Sequence, residues 1–244
     1  MTDKAVSPWR NLWVRFREDR IALAALVVVG IILLLALFAP FIAPQDPYDL
    51  SGLSLRDARR PPGWVGSGGY VHWLGTDAQG RDLLSAILYG LGVSIQIGIF
   101  AGAVGLVIGT TIGILAAYHR GWFETVLMRI IDLQLSFPPI LLALVLVAAL
   151  GQGKAQLIAA LVAAQYAYFA RTAFGAASAE RSKDYIEAAR ATPLSNTRIV
   201  FRHILPNAMP ALIVVATVQV AYAIALESTL SFLGLGLPVT EPSL

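Results

Sequence analysis

Long apolar runs broken by short polar stretches dominate this chain. Residues 21–42, 91–117, 133–150, 156–175 and 208–236 are each almost free of charged side chains. A helix of about 20 residues crosses the ~30 Å hydrocarbon core of a bilayer. Lipid offers no partner to unpaired backbone groups, so all five runs are expected to be helical. The pattern therefore predicts an all-α polytopic membrane protein with five transmembrane helices in this chain. It divides into a polar segment at 1–20, a first transmembrane helix at 21–42, an outer loop with an interfacial helix at 43–90, and a helical core at 91–244. A polar hairpin at about 180–207 interrupts that core.

Composition agrees: 57% of the residues are hydrophobic and 14% charged, against about 25% charged in soluble domains. There is no cysteine, hence no disulfide framework and no thiolate metal site. The net charge of +3 would suit nucleic acid, but in a membrane protein placement outweighs the sum. Lys4, Arg10, Arg15, Arg17 and Arg20 precede the first run. The basic residues at 120, 129, 171, 181, 183, 190, 198 and 202 fall on the same side, against Arg56, Arg59, Arg60, Arg81 and Lys154 on the other. The positive-inside rule then puts the N-terminus in the cytoplasm. The first run is too long for the apolar part of a cleaved signal peptide, about 7–15 residues. It reads as an anchor.

The outer loop is rich in Pro and Gly, and its end, Leu74-Gly75-Thr76-Asp77-Ala78-Gln79-Gly80-Arg81-Asp82, is expected to start an interfacial helix with Thr76 or Asp77 as N-cap. Gly98, Gly102, Gly105, Gly109 and Gly113 form one stripe on the second run, spread over about 80° of the helix circumference. Small-residue stripes let helices approach closely; the stripe reads either as a packing seam, the commoner use, or as a pathway wall. Glu227 stands in an apolar run, where a charge costs about 2.5–3.5 kcal/mol at a helix centre on insertion scales. It calls for pairing, protonation or a wet setting. Arg129 and Asp132, at i, i+3, are expected to pair locally. Gly151-Gln152-Gly153-Lys154 lacks the features of a phosphate-binding loop, and His72 is separated from His119 and His203 by the membrane, so no metal site is expected.

The hairpin carries most of the functional information. Asp184 is expected to cap a short helix with Glu187 at its third position. Ala188, Ala189 and Ala191 favour helix and keep it slim. Pro193 ends it. Ser195 starts a second helix bearing Arg198 and Arg202, and Leu205-Pro206-Asn207 turns the chain into the last run. On these residues alone the hairpin is either a docking surface or an interfacial helix on anionic headgroups.

This stretch resembles the EAA loop of ABC importer permeases, in which Glu-Ala-Ala is followed by a glycine and later by Leu-Pro. Glu187, Ala188, Ala189, Leu205 and Pro206 match, while Pro193 stands where the family has glycine. Leu74-Gly75-Thr76-Asp77 with Gly80-Arg81-Asp82, Ser136-Phe137-Pro138, His203-Ile204-Leu205-Pro206-Asn207 and Ser231-Phe232-Leu233-Gly234-Leu235-Gly236 are similar to blocks of the dipeptide/oligopeptide/nickel permeases with a long first outer loop. Ala86 and Gly92 depart from that pattern, standing where arginine is frequent in the family.

The resemblance implies a type I importer permease bundle in a bacterial or archaeal cytoplasmic (inner) membrane, without enzymatic activity of its own. It implies a homologous permease partner forming a heterodimer, two cytoplasmic ATPase subunits that bind ATP and Mg, and an extracytoplasmic substrate-binding protein. The cargo would be a peptide or related small solute, nickel included. Tyr185, Ile186, Glu187, Ala188, Ala189, Arg190, Pro193, Leu205 and Pro206 would form the joint to the ATPase. Tyr185 and Ile186 would enter its groove at about 1.5–3 kcal/mol each. Glu227 would line the pathway or make a structural pair. The family continues through one more span, so a sixth helix is expected beyond this sequence.

Overall fold

A computed structural model describes residues 16–49, 53–191 and 195–237. It divides into two compact units, residues 1–92 and 93–244.

In the first unit, α1 (Arg20–Leu37) is capped by Asp19, whose carboxylate accepts from the Ile21 and Ala22 amides at 2.9 and 3.1 Å. None of its residues is buried, as suits a helix whose solvent is lipid. The expected span at 21–42 breaks at Phe38 into α1 and a single turn, α2 (Ala39–Ile42), because Pro40 starts a new helix.

The outer loop folds around buried polar groups. An antiparallel hairpin, β1 (Trp64–Val65) with β2 (Val71–His72), places His72 at 1% exposure, its Nδ1 3.0 Å from Asp82 Oδ1. Asp57, also buried, accepts from the Ser67 hydroxyl and amide at 2.5 and 2.9 Å and from the Trp64 indole at 3.1 Å. Those bonds, the Ser67 hydroxyl's first, lower its pKa to about 2. The Thr76 hydroxyl donates to the Asp57 carbonyl and accepts from the Arg60 amide at 2.8 Å. Asp77 closes a tight turn, accepting from the Gln79 and Arg81 amides at 2.8 and 2.9 Å and from Arg81 Nε at 2.7 Å. Gly80, at φ +81°, lies against the Ser54 carbonyl, where no side chain fits.

The expected cap is thereby corrected. Thr76 and Asp77 build the turn, and Asp82 caps the helix, accepting from the Ser85 amide and hydroxyl at 2.7 Å each. No separate interfacial helix intervenes: α3 runs unbroken over Leu83–His119, 37 residues or about 55 Å.

In the second unit, the expected third span at 133–150 is two helices, α4 (Trp122–Leu135) and α5 (Pro139–Leu150), meeting at 90°. Pro138 and Pro139 remove two amide donors and bias the residues before them away from helix, so the chain bends at 136–138. α6 (Lys154–Arg181) is the hub, packed against α4, α5 and the last helix. It buries Ala160, Ala164, Ala167, Ala170, Ala173 and Ala177, whose small side chains bring neighbouring backbones close. The hairpin follows as α7 (Asp184–Ala191) and α8 (Asn196–Ile199), then a π-turn (Val200–Ile204) and α9 (Leu205–Phe232). Among the described residues, by length and composition four helical runs can cross a membrane, or five if the bent α4–α5 pair counts as one, which is the expected five.

α9 stops sooner than the expected 236, through a left-handed cap. Gly234 has φ +76°, its amide donates to the Ser231 carbonyl at 3.0 Å, and the Leu235 amide donates to the Leu230 carbonyl at 2.9 Å.

Candidate functional site

The hairpin begins where α6 ends. α7 starts at Asp184 itself, so Asp184 and Glu187 both lie in its first turn, where carboxylates favour the helix dipole. Asp184 is thus a first-turn residue and not the expected cap. Ile186 is completely buried and Ala189 partly so, together with Ile114 of α3, Ala173 and Ala177 of α6, Ile199 and Ile204 of the hairpin itself, and Leu212 of α9. Glu187 and Ala188 face outward. Tyr185 is 40% exposed and latched rather than free. Its hydroxyl donates to Glu180 Oε2 at 2.6 Å and accepts from Asn207 Nδ2 at 3.1 Å. The bond to Glu180 raises the Tyr185 pKa, since the neutral phenol is the donor.

Ile186, expected to enter a partner's groove, is instead buried within its own chain. It anchors the short helix to its own bundle and is not available to a partner's groove. The reason is helical periodicity: Ile186 and Ala189, three apart, share a face, and that face is covered by α3, α6 and α9. Among the described side chains of α7, Asp184, Glu187 and Ala188 face outward, with Tyr185 at their edge. Pro193 lies outside the described residues.

Ser195 does start the second helix; its hydroxyl accepts from the Arg198 amide at 3.3 Å. Leu205-Pro206, however, makes no turn. The helix is continuous over Asn196–Phe232, and the π-turn, where the Leu205 amide reaches the Val200 carbonyl, absorbs the proline. Pro206 has no amide to donate, and the wider turn relieves its ring.

Arg181, which the sequence did not single out, ties α6 to α3. Its Nη1 donates to the Ala117 and Tyr118 carbonyls at 2.5 and 2.6 Å, and the guanidinium lies over the Tyr118 ring. A cation on the last carbonyls of a helix both caps it and complements its dipole. Asp132 pairs with Arg171 of α6 at 3.2 Å, not with Arg129 as expected. Rotation along α4 turns Asp132 toward the hub helix.

The glycine stripe is a double seam. A Cβ on Gly98 would stand 2.6 Å from Ile224 Cγ1 and one on Gly102 2.6 Å from Val220 Cγ2, both on α9. Gly105, Gly109 and Gly113 face α6, where a Cβ on Gly109 would meet Phe169 Cβ at 2.5 Å and one on Gly113 would meet Ala173 Cβ at 2.7 Å. One stripe thus lets α3 approach both neighbours. Glu227 is fully buried, accepting from Ser94 Oγ of α3 at 2.6 Å and from Ser231 Oγ at 2.8 Å. Gly236 lies against Ser231, at a distance where a Cβ would stand 2.5 Å from Ser231 Cα. The Ser231–Gly236 block thereby acquires a physical meaning: it orients Ser231 on the buried carboxylate and ends α9 beside it. Ser94 was not foreseen, because serine is unremarkable in a membrane helix, and Ser231 was known only as part of a motif, without its partner.

Long apolar helices around an alanine-lined hub, with a polar hairpin seated on one end, define a multi-pass membrane protein. Comparison places it further. Residues 109–244 match the family described as binding-protein-dependent transport system inner membrane component, and residues 7–62 match the N-terminal transmembrane domain of oligopeptide transport permease C. The chain is 37% identical over 238 residues to the glutathione transport system permease protein GsiD of Pectobacterium atrosepticum, covering 96% of this chain and 75% of the relative. It is 34% identical over 238 residues to the dipeptide transport system permease protein DppC of Alkalihalophilus pseudofirmus, covering 98% and 75%. The fold is similar to the inward-facing MetNI methionine ABC transporter, with a TM-score of 0.57 at 22% identity over 62% of this chain and 76% of that one. The chain belongs to the binding-protein-dependent inner-membrane permeases of ABC importers, in the dipeptide and oligopeptide branch.

Proposed function

We propose that this chain is the membrane-embedded subunit of an importer that carries peptides, glutathione among them, into the cytoplasm. It works beside a homologous permease subunit, and the driving energy comes from separate ATPase subunits that bind ATP and Mg. An extracytoplasmic binding protein delivers the cargo. The peptide reading rests on the names of the relatives, a glutathione and a dipeptide permease; a nickel complex is the other cargo that the resemblance admits.

The observation that carries the mechanism is the seating of α7. Its outward side, Glu187 and Ala188, is exposed, while Ile186 and Ala189 lock its inner side to α3, α6 and α9. A partner pressing on the exposed side from the cytoplasm moves a body already bonded to three membrane helices. Arg181 adds a polar tie to the end of α3, so displacement of the hairpin is shared with the helix carrying the glycine seam. Arg190, Leu205 and Pro206 belong to the same joint, and Pro193 would end α7 in place of the family glycine. Glu227, enclosed by two serines, acts in this reading as a clamp between α3 and α9 and not as an open pathway residue.

The test is reconstitution of the chain with its partner permease, ATPases and binding protein in vesicles. Labelled dipeptide or glutathione should accumulate only with ATP on the ATPase side, and excess nickel should not compete. Glu187→Ala should leave the assembly intact while lowering uptake per ATP hydrolysed. Uptake driven by an ion gradient in the absence of the ATPases would overturn the reading.

A further inference from the structure

Between α3 and the π-turned start of α9 lies an apolar slot lined by Leu106, Thr110 and Ile114 on one wall and Val200, Leu205 and Met209 on the other. The α3 wall runs from residue 106 to 115 and the opposite wall from 200 to 209, so at 1.5 Å per residue each is about 13–14 Å long. The slot holds about 330 Å³, or about 810 Å³ with the open space at its mouth. Over that length either figure gives a cross-section below the ~80 Å² of a helix with its side chains. A hydrocarbon chain fits the slot; a protein helix does not.

The mouth has the opposite character. A second recess of about 290 Å³ shares Ile114, Leu115, Val200 and Phe201 with the slot and adds His119, Asn196 and Thr197. Across Phe201 a third depression is bounded by Ser195, Arg198 and Arg202. None of the described residues lining the three is acidic, and neither arginine pairs with a carboxylate among the described residues. Both guanidinium groups are exposed, one helical turn apart on the same side of the helix.

We propose that this cleft binds one anionic membrane phospholipid, an acyl chain filling the apolar slot and the phosphate lying on Arg198 and Arg202. The charge and the shape of the cleft change together along its length, apolar where the helices are apolar and cationic where they leave the hydrocarbon. Guanidinium groups match phosphate oxygens in geometry as well as charge. The site lies directly behind the buried cluster that seats α7, sharing Ile114, Val200, Leu205 and Met209 with it, so an occupied slot would brace the hairpin.

The experiment places a reporter at the mouth. Phe201→Trp is introduced into the full chain, assembled with its partner subunits in nanodiscs, and quenched by brominated phosphatidylglycerol or brominated phosphatidylcholine; the native protein supplies the background of its own tryptophans. A preference of about 30-fold for the anionic lipid is expected from two arginines beside an anionic phosphate. Arg198→Gln with Arg202→Gln should abolish it. Equal quenching by both lipids would mean ordinary surrounding lipid and overturn the proposal. Absence of quenching by either would mean that a protein partner covers the cleft and would overturn it as well. If the tryptophan variant fails to assemble, native mass spectrometry of the unaltered complex decides. Retained phosphatidylglycerol that the double glutamine variant loses supports the site, and equal retention by both refutes it.

Discussion

Ile186→Ala separates two ways of building a coupling joint. If Ile186 reached into the ATPase, its loss would weaken subunit association. Here it is fully buried in one cluster with Ile114, Ala173, Ala177, Ile199 and Ile204 of its own chain, so its loss opens a cavity beneath α7. Truncating a buried isoleucine costs about 2–5 kcal/mol, the spread reflecting how far the site collapses. At 1.4 kcal/mol per decade, even the lower figure shifts the seating equilibrium of α7 about 30-fold toward the detached state. Hydrogen exchange of the 184–191 amides in the assembled transporter should accelerate by at least that factor, while the core of α6 stays protected. The ATPase should still bind, because Glu187 and Ala188 are untouched. Hydrolysis should continue and transport per ATP should fall, since the pushed element no longer grips α3, α6 and α9. Dissociation of the ATPase with unchanged exchange at 184–191 would refute this and return Ile186 to the partner's groove.

Gly109→Ala should disrupt the α3–α6 seam, because the new methyl would stand 2.5 Å from Phe169 Cβ and 2.8 Å from the Ala170 nitrogen. A loss of about 1–3 kcal/mol, the usual cost of overpacking, should appear as a lower melting temperature in detergent, and Gly30→Ala, with open space around it, should not reproduce it. Glu227→Leu strands the Ser94 and Ser231 hydroxyls without their acceptor at about 1–3 kcal/mol each. Glu227→Gln keeps an acceptor and should melt close to the native protein; if Gln instead abolishes uptake with stability intact, the carboxylate has a role in the pathway beyond clamping. The Asp57 carboxyl, held at about 2 in the folded loop against 3.8 for a free group, contributes stability that is present above pH ~4 and lost as the pH falls toward ~2. Protease resistance of the outer loop should decline across that window in the native protein, and Asp57→Asn should flatten the profile.

The parts that lipid dictates were legible in the residue order. Hydrocarbon tolerates no unpaired backbone, so apolar runs of the right length became helices, and the glycines at helical spacing became a seam. What periodicity could not supply was the neighbour. The same stripe serves α9 at Gly98 and Gly102 and α6 at Gly105, Gly109 and Gly113, a division fixed only by where those helices lie. Glu227 signalled a need for partners, yet Ser94 is 133 residues away in sequence. The outer loop was read as turns because Pro and Gly mark turns. Its core of His72, Asp57 and Asp82 is polar, and hydrophobic patterning is blind to a core of that kind.

The hairpin shows most clearly where such reading stops. Eight residues of helix define two faces, but the pattern does not say which face belongs to the chain's own bundle and which to another polypeptide. Burial separates them: Ile186 at 0% exposure is committed within the chain, and Glu187, its immediate neighbour, points away. A coupling element must satisfy both conditions at once. It has to be held tightly enough by its own bundle to transmit displacement, and it has to leave a surface that another subunit can press. In the proposed coupling role, a helix of two turns with one buried isoleucine and small alanines around it would meet that requirement, because it is too short to be stable alone and so remains in place only while its inner face is seated.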